Sequence, residues 1–352
     1  MRKLLVPVAG VLALSLLLSA CDVQVTPEAA RVDGGAISAS TLTGSIRSIA
    51  DDAGYRCEVR AGSQGQIPIE GTGGSTYASS FAADVLTQLI EYRALHEEVA
   101  RLGLHEGAFA RQVAAAQLPQ ALNPASTSGC TTTGSQVLAD FGSPYRGLIE
   151  QFEVDQLAVL AHLAGVSLTR AGIDAYESSH KSSATLSCTS VIAVASASAA
   201  AAARARIEAG ASFASVARTT STDPSASSGG SLGCVFASQF TSPLSSVVAS
   251  LPVGQVSQPV AFGSGYLLFL VTSRPLAPAT QVASAIVSTQ QSRLTTLIAT
   301  VTSQAHVTVD PAFGTWTHSS TGWTVTPPTG PPDALLPNPT AVTPVAAAVT
   351  PA

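Results

Sequence analysis

The sequence predicts an α+β protein with a mainly helical N-terminal lobe and a smaller segment of mixed strand and helix. Three observations predict it. "SSFAADVLTQLIEYRALHEEVARLGL" (79–104) repeats Phe81, Val85, Leu89, Leu95, Val99 and Leu102 at helical spacing. Residues 280–304 carry a second such stripe, through Val282, Ile286, Leu294, Leu297, Ile298 and Val301. Between them, 187–275 alternates short apolar runs, an alanine-rich run and a Gly-rich loop.

The elements follow in order. Residues 22–36 read as a polar tether. "ISASTLTGSIRSIADDAG" (37–54) offers Ser and Thr caps to a short amphipathic helix. The Gly-rich stretches 60–76 and 118–134 read as loops. A helical region covers about 135–164, where Phe141, Leu148, Phe152 and Leu160 are apolar and Pro144 breaks or kinks the run. A capped helix begins after Ser167 and runs towards Lys181, which closes a lobe spanning 37–181. Alanine is a strong helix former, so 197–209 reads as helix rather than linker. "HVTVD" (306–310) alternates like a short strand. Residues 326–352 are rich in Pro, Ala and Thr, bury too little apolar surface to offset ordering, and are expected to be disordered.

Composition narrows the function classes. Charged residues are only 11% of the 352, the net charge is −5, and no basic cluster occurs, which argues against a nucleic-acid partner. The N-terminus "MRKLLVPVAGVLALSLLLSAC" (1–21) has a positive start at Arg2 and Lys3, then an apolar run short for a membrane span. Its end, "LSAC", resembles a bacterial lipobox, which implies lipid on Cys21 and an extracytoplasmic, membrane-anchored protein. Four further cysteines, an even number outside the cytoplasm, suggest disulfides. Of three possible pairings, Cys57–Cys130 and Cys188–Cys234 keep each bridge within one proposed domain. The four are too dispersed for a zinc site.

The segment 187–275 resembles a parvulin-type (PpiC, rotamase) peptidyl-prolyl isomerase domain. "SCTSVIAV" (187–194) fits the family's first strand. "AAAAARARIEAGASFASVARTTSTD" (199–223) fits its helix–Gly–Phe–helix pattern and Ser-x-Asp. "GGSLG" (229–233) fits its Gly-rich loop, and 251–274 its closing turn and last strand. A phosphate loop is excluded because the GK[ST] ending is missing. The resemblance implies a small antiparallel sheet flanked by helices. It places the family's acidic or thiol position at Asp223, and its apolar proline pocket at Leu232, Phe240 and Leu244, with Ser264 also matching. The bland reading of Asp223 is a turn residue bonding its own backbone. The family's two histidines fall at Ser190 and Leu267, and none of the six histidines lies in 187–275. If Ser190 and Leu267 face each other, a small polar–apolar pair replaces the imidazole network. Cys188, two residues before Ser190, would share its strand face.

The whole chain resembles PrsA/SurA-like extracytoplasmic foldases. That implies a helical chaperone lobe completed by 280–310 around the parvulin-like insert. Proline isomerisation twists an amide and needs no cofactor. The implied activity is binding of unfolded secreted chains with Xaa–Pro segments, and weak or absent isomerase turnover. The alternatives are a fully active isomerase and a non-catalytic scaffold lipoprotein.

Overall fold

A computed structural model describes residues 27–62, 68–71, 76–105, 107–122, 130–320 and 322–329. Cys21 and its preceding run lie outside these residues, as does the tail from 330 to 352. The protein is α+β. The chain begins with β1 (Glu28–Val32) and β2 (Gly35–Ser38), which pair antiparallel across a turn with Asp33 and Gly34 at positive φ. The tether expectation is therefore corrected for 27–36, while 22–26 lie outside the described residues. Ala29, Ala30 and Val32 are buried, and this apolar content makes a strand worth burying where a tether would stay wet.

Ser38 caps α1 (Ala39–Asp51) by accepting from the Thr41 amide. Next come α2 (Ala53–Gly62), α3 (Ser79–Arg101) and α4 (Ala108–Ala121). Two loop assignments shorten accordingly: α2 takes 60–62, and α4 takes 118–121 with Pro119 inside it. The sequence reading assigned no helix to 108–121. Its signal there is weak, six alanines and scattered apolar residues, and tertiary burial of Ala110, Val113, Ala114 and Leu118 supplies what periodicity lacks.

Pro144 does what its ring requires. It separates α5 (Gly134–Asp140) from α6 (Ser143–Ala164) and sits in the first turn of α6, where no N–H is missed. The following helix, α7 (Arg170–Ser179), is capped by Thr169 rather than starting after Ser167. Tyr92 of α3 stacks on Phe152 of α6, with ring centroids 3.8 Å apart.

The smaller domain follows: β3 (Leu186–Val194), α8 (Ala197–Glu208), α9 (Phe213–Thr220), β4 (Ser231–Phe236), α10 (Leu244–Ser250), β5 (Val260–Phe262) and β6 (Gly265–Ser273). Its sheet is antiparallel in the order β4-β3-β6-β5. Helices α8 and α9 cover one face through Ile192, Val194, Ala200, Phe213 and Leu268. Helix α10 covers part of the other through Val191, Leu244, Val248 and Phe269. Successive strand residues point to opposite faces, so neighbours Val191 and Ile192 serve different cores.

The chain then returns to the first lobe. Residues 280–304 are two helices, α11 (Ala279–Ser288) and α12 (Gln291–Gln304), not the single run expected. Val282, Ala283, Ile286 and Leu294 join Leu95, Val99 and Leu157 in one core. Strand β7 (Val307–Val309) pairs with β1, so the first lobe is built from both ends of the described chain. A hairpin of β8 (Thr315–Ser319) and β9 (Gly322–Thr326), absent from the sequence reading, packs Val325 into the α3 core. Its end at Thr326 also trims the segment expected to be disordered. Among the described residues no helix is long and apolar enough to cross a membrane.

Two disulfides are present, Cys57–Cys130 and Cys188–Cys234, with Cα atoms 5.9 and 3.8 Å apart. The second joins residues directly opposite on β3 and β4.

Candidate functional site

The α10 side of the small sheet carries a cleft of about 520 Å³. The Gly-rich loop shapes its edge. Asp223 and Pro224 start a 3-10 turn (Pro224–Ser228), which ends at Gly229 with φ 71°. Gly230 follows with φ 81°, and its carbonyl accepts the Val191 amide at 2.8 Å. A side chain at Gly230 would collide with the Val191 carbonyl oxygen, so the close approach of loop and strand demands glycine there.

The Ser-x-Asp stretch staples this loop to β3. Ser221 Oγ accepts from the amides of Ala193 (3.0 Å) and Asp223 (3.2 Å), and the Thr222 amide donates to the Ala193 carbonyl at 2.9 Å. Asp223 Oδ1 accepts from the Ser225 amide at 2.8 Å and from the Ser225 hydroxyl. The carboxylate thus has a cap's work to do, while its residue also lines the cleft. The turn reading of Asp223 holds, at a position that also lines the cleft.

Leu232, Phe240, Leu244, Ser264 and Leu267 all line this one cleft. Phe240 stands edge-on to the buried Phe269, with centroids 6.0 Å apart. Leu232 and Phe262 are large and apolar yet 36% and 46% exposed, at the rim. Sequence reasoning missed Val191, Ala193, Phe262, Tyr266 and Phe269. Strand alternation from Leu267 would have found Phe269.

Ser190 is not among the lining residues. The cleft takes Val191 and Ala193, so alternation turns Ser190 to the α8–α9 face. Nor does it face Leu267: Ser190 pairs with Leu270, and Leu267 with Ala193. The expected Ser190–Leu267 pair is corrected on both counts, and Val191 is the cleft-facing residue at that point of β3. The register of β3 shifts between Cys188 and Thr189, so strict alternation does not carry from Ser190 to Cys188 and the shared face expected for the two does not follow. Among the lining residues there is no histidine, and Asp223 is the single charged side chain. Among the described residues no group of three or more His, Cys, Asp or Glu could hold a metal ion.

The arrangement is an apolar trough with a stapled polar lip. It can desolvate an extended segment and hold a ring-sized apolar group against Phe240 and Leu244.

Comparison with known proteins defines the class of this domain. Residues 191–273 match the family described as Rotamase, PPIC-type PPIASE domain; the chain carries a domain of that type. Among solved structures, a PpiC-type peptidyl-prolyl cis-trans isomerase domain is 22% identical, over 28% of this chain and 97% of its own, with a TM-score of 0.27. PrsA from Bacillus anthracis is 19% identical over 63% of this chain and 97% of its own, with a TM-score of 0.30. A SurA-like chaperone of Campylobacter jejuni is 16% identical over 79% and 96%, with a TM-score of 0.25. No curated protein sequence matches the chain.

Proposed function

We propose that the protein is an extracytoplasmic folding factor, held at the membrane by lipid on Cys21, whose cleft binds unfolded secreted chains at Xaa–Pro segments with weak or absent isomerase turnover. One observation carries this reading: the cleft keeps its apolar walls but lines its floor with Val191, Ala193, Leu267 and Phe269, and no imidazole. Burial against Leu232, Phe240 and Leu244 supplies binding, at about 25 cal/mol per Å² of apolar surface. Turnover requires more. The amide barrier is about 18–20 kcal/mol, and lowering it takes groups that favour the twisted amide over the planar one. Aliphatic side chains bind both alike.

The alternative, an active isomerase, draws support from Asp223 at the cleft edge beside Pro224, where a carboxylate could act on the reacting amide. Exchange NMR on Xaa–Pro peptides with residues 22–352 separates the two. The expected result is peptide binding, lost in Phe240→Ala, with exchange at background. Exchange above background that disappears in Phe240→Ala would make the protein an enzyme. Neither binding nor exchange would favour a scaffold lipoprotein that docks one folded partner.

A further inference from the structure

The two disulfides stand in different settings. Cys57, Cys130 and Cys188 are half-buried, whereas Cys234 is exposed. Cys234 lies on β4, an edge strand of the small sheet that pairs with β3 alone. The two strands pair directly at Cys188 and Cys234, and next at Ser190 and Ser231. Between those pairs Leu232 and Gly233 stand opposite the single residue Thr189, which makes a bulge. Gly233 takes φ 78°, which glycine permits at no steric cost. Leu232, within the bulge, is a rim residue of the cleft.

Besides its ladder with β3, little holds this stretch. Ser231, Leu232, Gly233 and Cys234 are all exposed, so apolar burial does not fix it to the sheet. On the loop side the Gly230 carbonyl accepts the Val191 amide at 2.8 Å. Within the bulge the Gly233 amide reaches Ser231 Oγ at 3.4 Å, a long bond. Beyond it, Phe236 is buried in a core of the helical lobe. Between these two anchors the covalent tie is the Cys188–Cys234 bond, directly beside the bulge.

An accessible cysteine and leverage on the cleft rim thus coincide at one bond. We propose that the Cys188–Cys234 disulfide is a thiol-exchange site, and that its reduction by a dithiol frees the Leu232 bulge and weakens binding in the cleft. The weakened binding rests on the proposed capture of Xaa–Pro segments; the exchange does not. An incoming thiolate attacks Cys234 Sγ and forms a mixed disulfide, while the S–S electron pair leaves with Cys188, which takes up a proton. The second thiol of the reductant, as thiolate, then displaces Cys234, which is protonated in turn. Two electrons and two protons pass to the protein, and the dithiol ends as a disulfide.

Titration of residues 22–352, made with oxidised cysteines, with dithiothreitol tests it, followed by alkylation with mass spectrometry and by amide NMR. Cys188 and Cys234 should be alkylated at least about tenfold faster than Cys57 and Cys130, since exchange follows access. The Leu232 amide should shift on reduction and return on reoxidation, with Leu89 and Ile90 of α3 unmoved. Affinity for a Leu–Pro peptide should fall about tenfold, the worth of one large apolar contact. Leu232→Ala should lose that factor while oxidised and lose nothing further on reduction, a pattern that general unfolding would not produce. Equal rates at the two bridges, or faster opening of Cys57–Cys130, would overturn the exchange site. Leu232 and Phe240 amides unmoved by reduction, or a peptide affinity unchanged by it, would overturn the coupling to the cleft. A shift at Leu232 with no peptide bound in either state would uphold the redox latch and sink the binding reading of the cleft.

Discussion

The cleft of the small domain and a cavity between α1, α3 and α6 of the helical lobe use polar side chains in opposite ways. Around the cleft, Ser221, Asp223 and Ser257 each accept from backbone amides. Ser257 Oγ accepts the Phe269 amide at 2.9 Å, and Ser221 accepts those of Ala193 and Asp223. The result is a rigid apolar shape with little charge inside it. In the cavity, His96, Gln151 and Asp155 bond one another through side chains. The first arrangement leaves an apolar surface of fixed shape; the second holds polar side chains against one another.

The largest expected effect breaks this comparison at the cleft. Phe269 is 1% exposed and underlies both Phe240 and α10. Phe269→Ala should destabilise the small domain by roughly 3–5 kcal/mol. Hydrogen exchange should then show lost protection at Ile192 and Leu268, with Leu89 and Ile90 in α3 unchanged. Equal loss in both regions would mean that lobe and domain open as one unit. The next effect sharpens the reading of Asp223. Asp223→Ala removes a cap worth about 1 kcal/mol, whereas Asp223→Asn keeps the cap and removes the charge. Peptide binding that survives Asn but weakens in Ala assigns the residue to loop shape; binding or turnover lost in both assigns it to charge.

The smallest effect belongs to the helical lobe. Burial raises the Glu91 and Glu153 carboxyls above the usual carboxylate range. Below the unfolded carboxyl range, folded and unfolded chains are both protonated there, and nothing is lost. As pH rises through the raised range the buried charge penalises the folded state. Glu91→Gln should therefore raise the melting temperature slightly near pH 7 and leave it unchanged near pH 3. A melting curve equally shifted at both values would show that packing, not charge, sets the effect.

Much of this was readable from the chain. The α3 stripe, the break at Pro144 and the Gly-rich loop each follow from a local rule: apolar spacing, a missing N–H, a positive φ. The cleft residues Leu232, Phe240, Leu244 and Leu267 were implied by the resemblance of 187–275 to the parvulin family and not by a local rule. Of what escaped, three cases show the reason. Helix α4 has low amphipathicity and depends on neighbours for its burial. The start of the chain looked like tether because its partner strand, Val307–Val309, lies at the other end of the sequence. The face of Ser190 was misjudged because a slip of one residue reverses a side chain's side of the sheet.

By itself, then, the sequence determined the elements whose causes are local: caps, breaks, glycine turns and helical stripes. Tertiary structure alone decided which faces met. It turned Val191 rather than Ser190 to the cleft, and it set His96 of α3 against Asp155 of α6. Such pairings depend on register and packing between segments far apart in the chain, and no window along the sequence contains both partners.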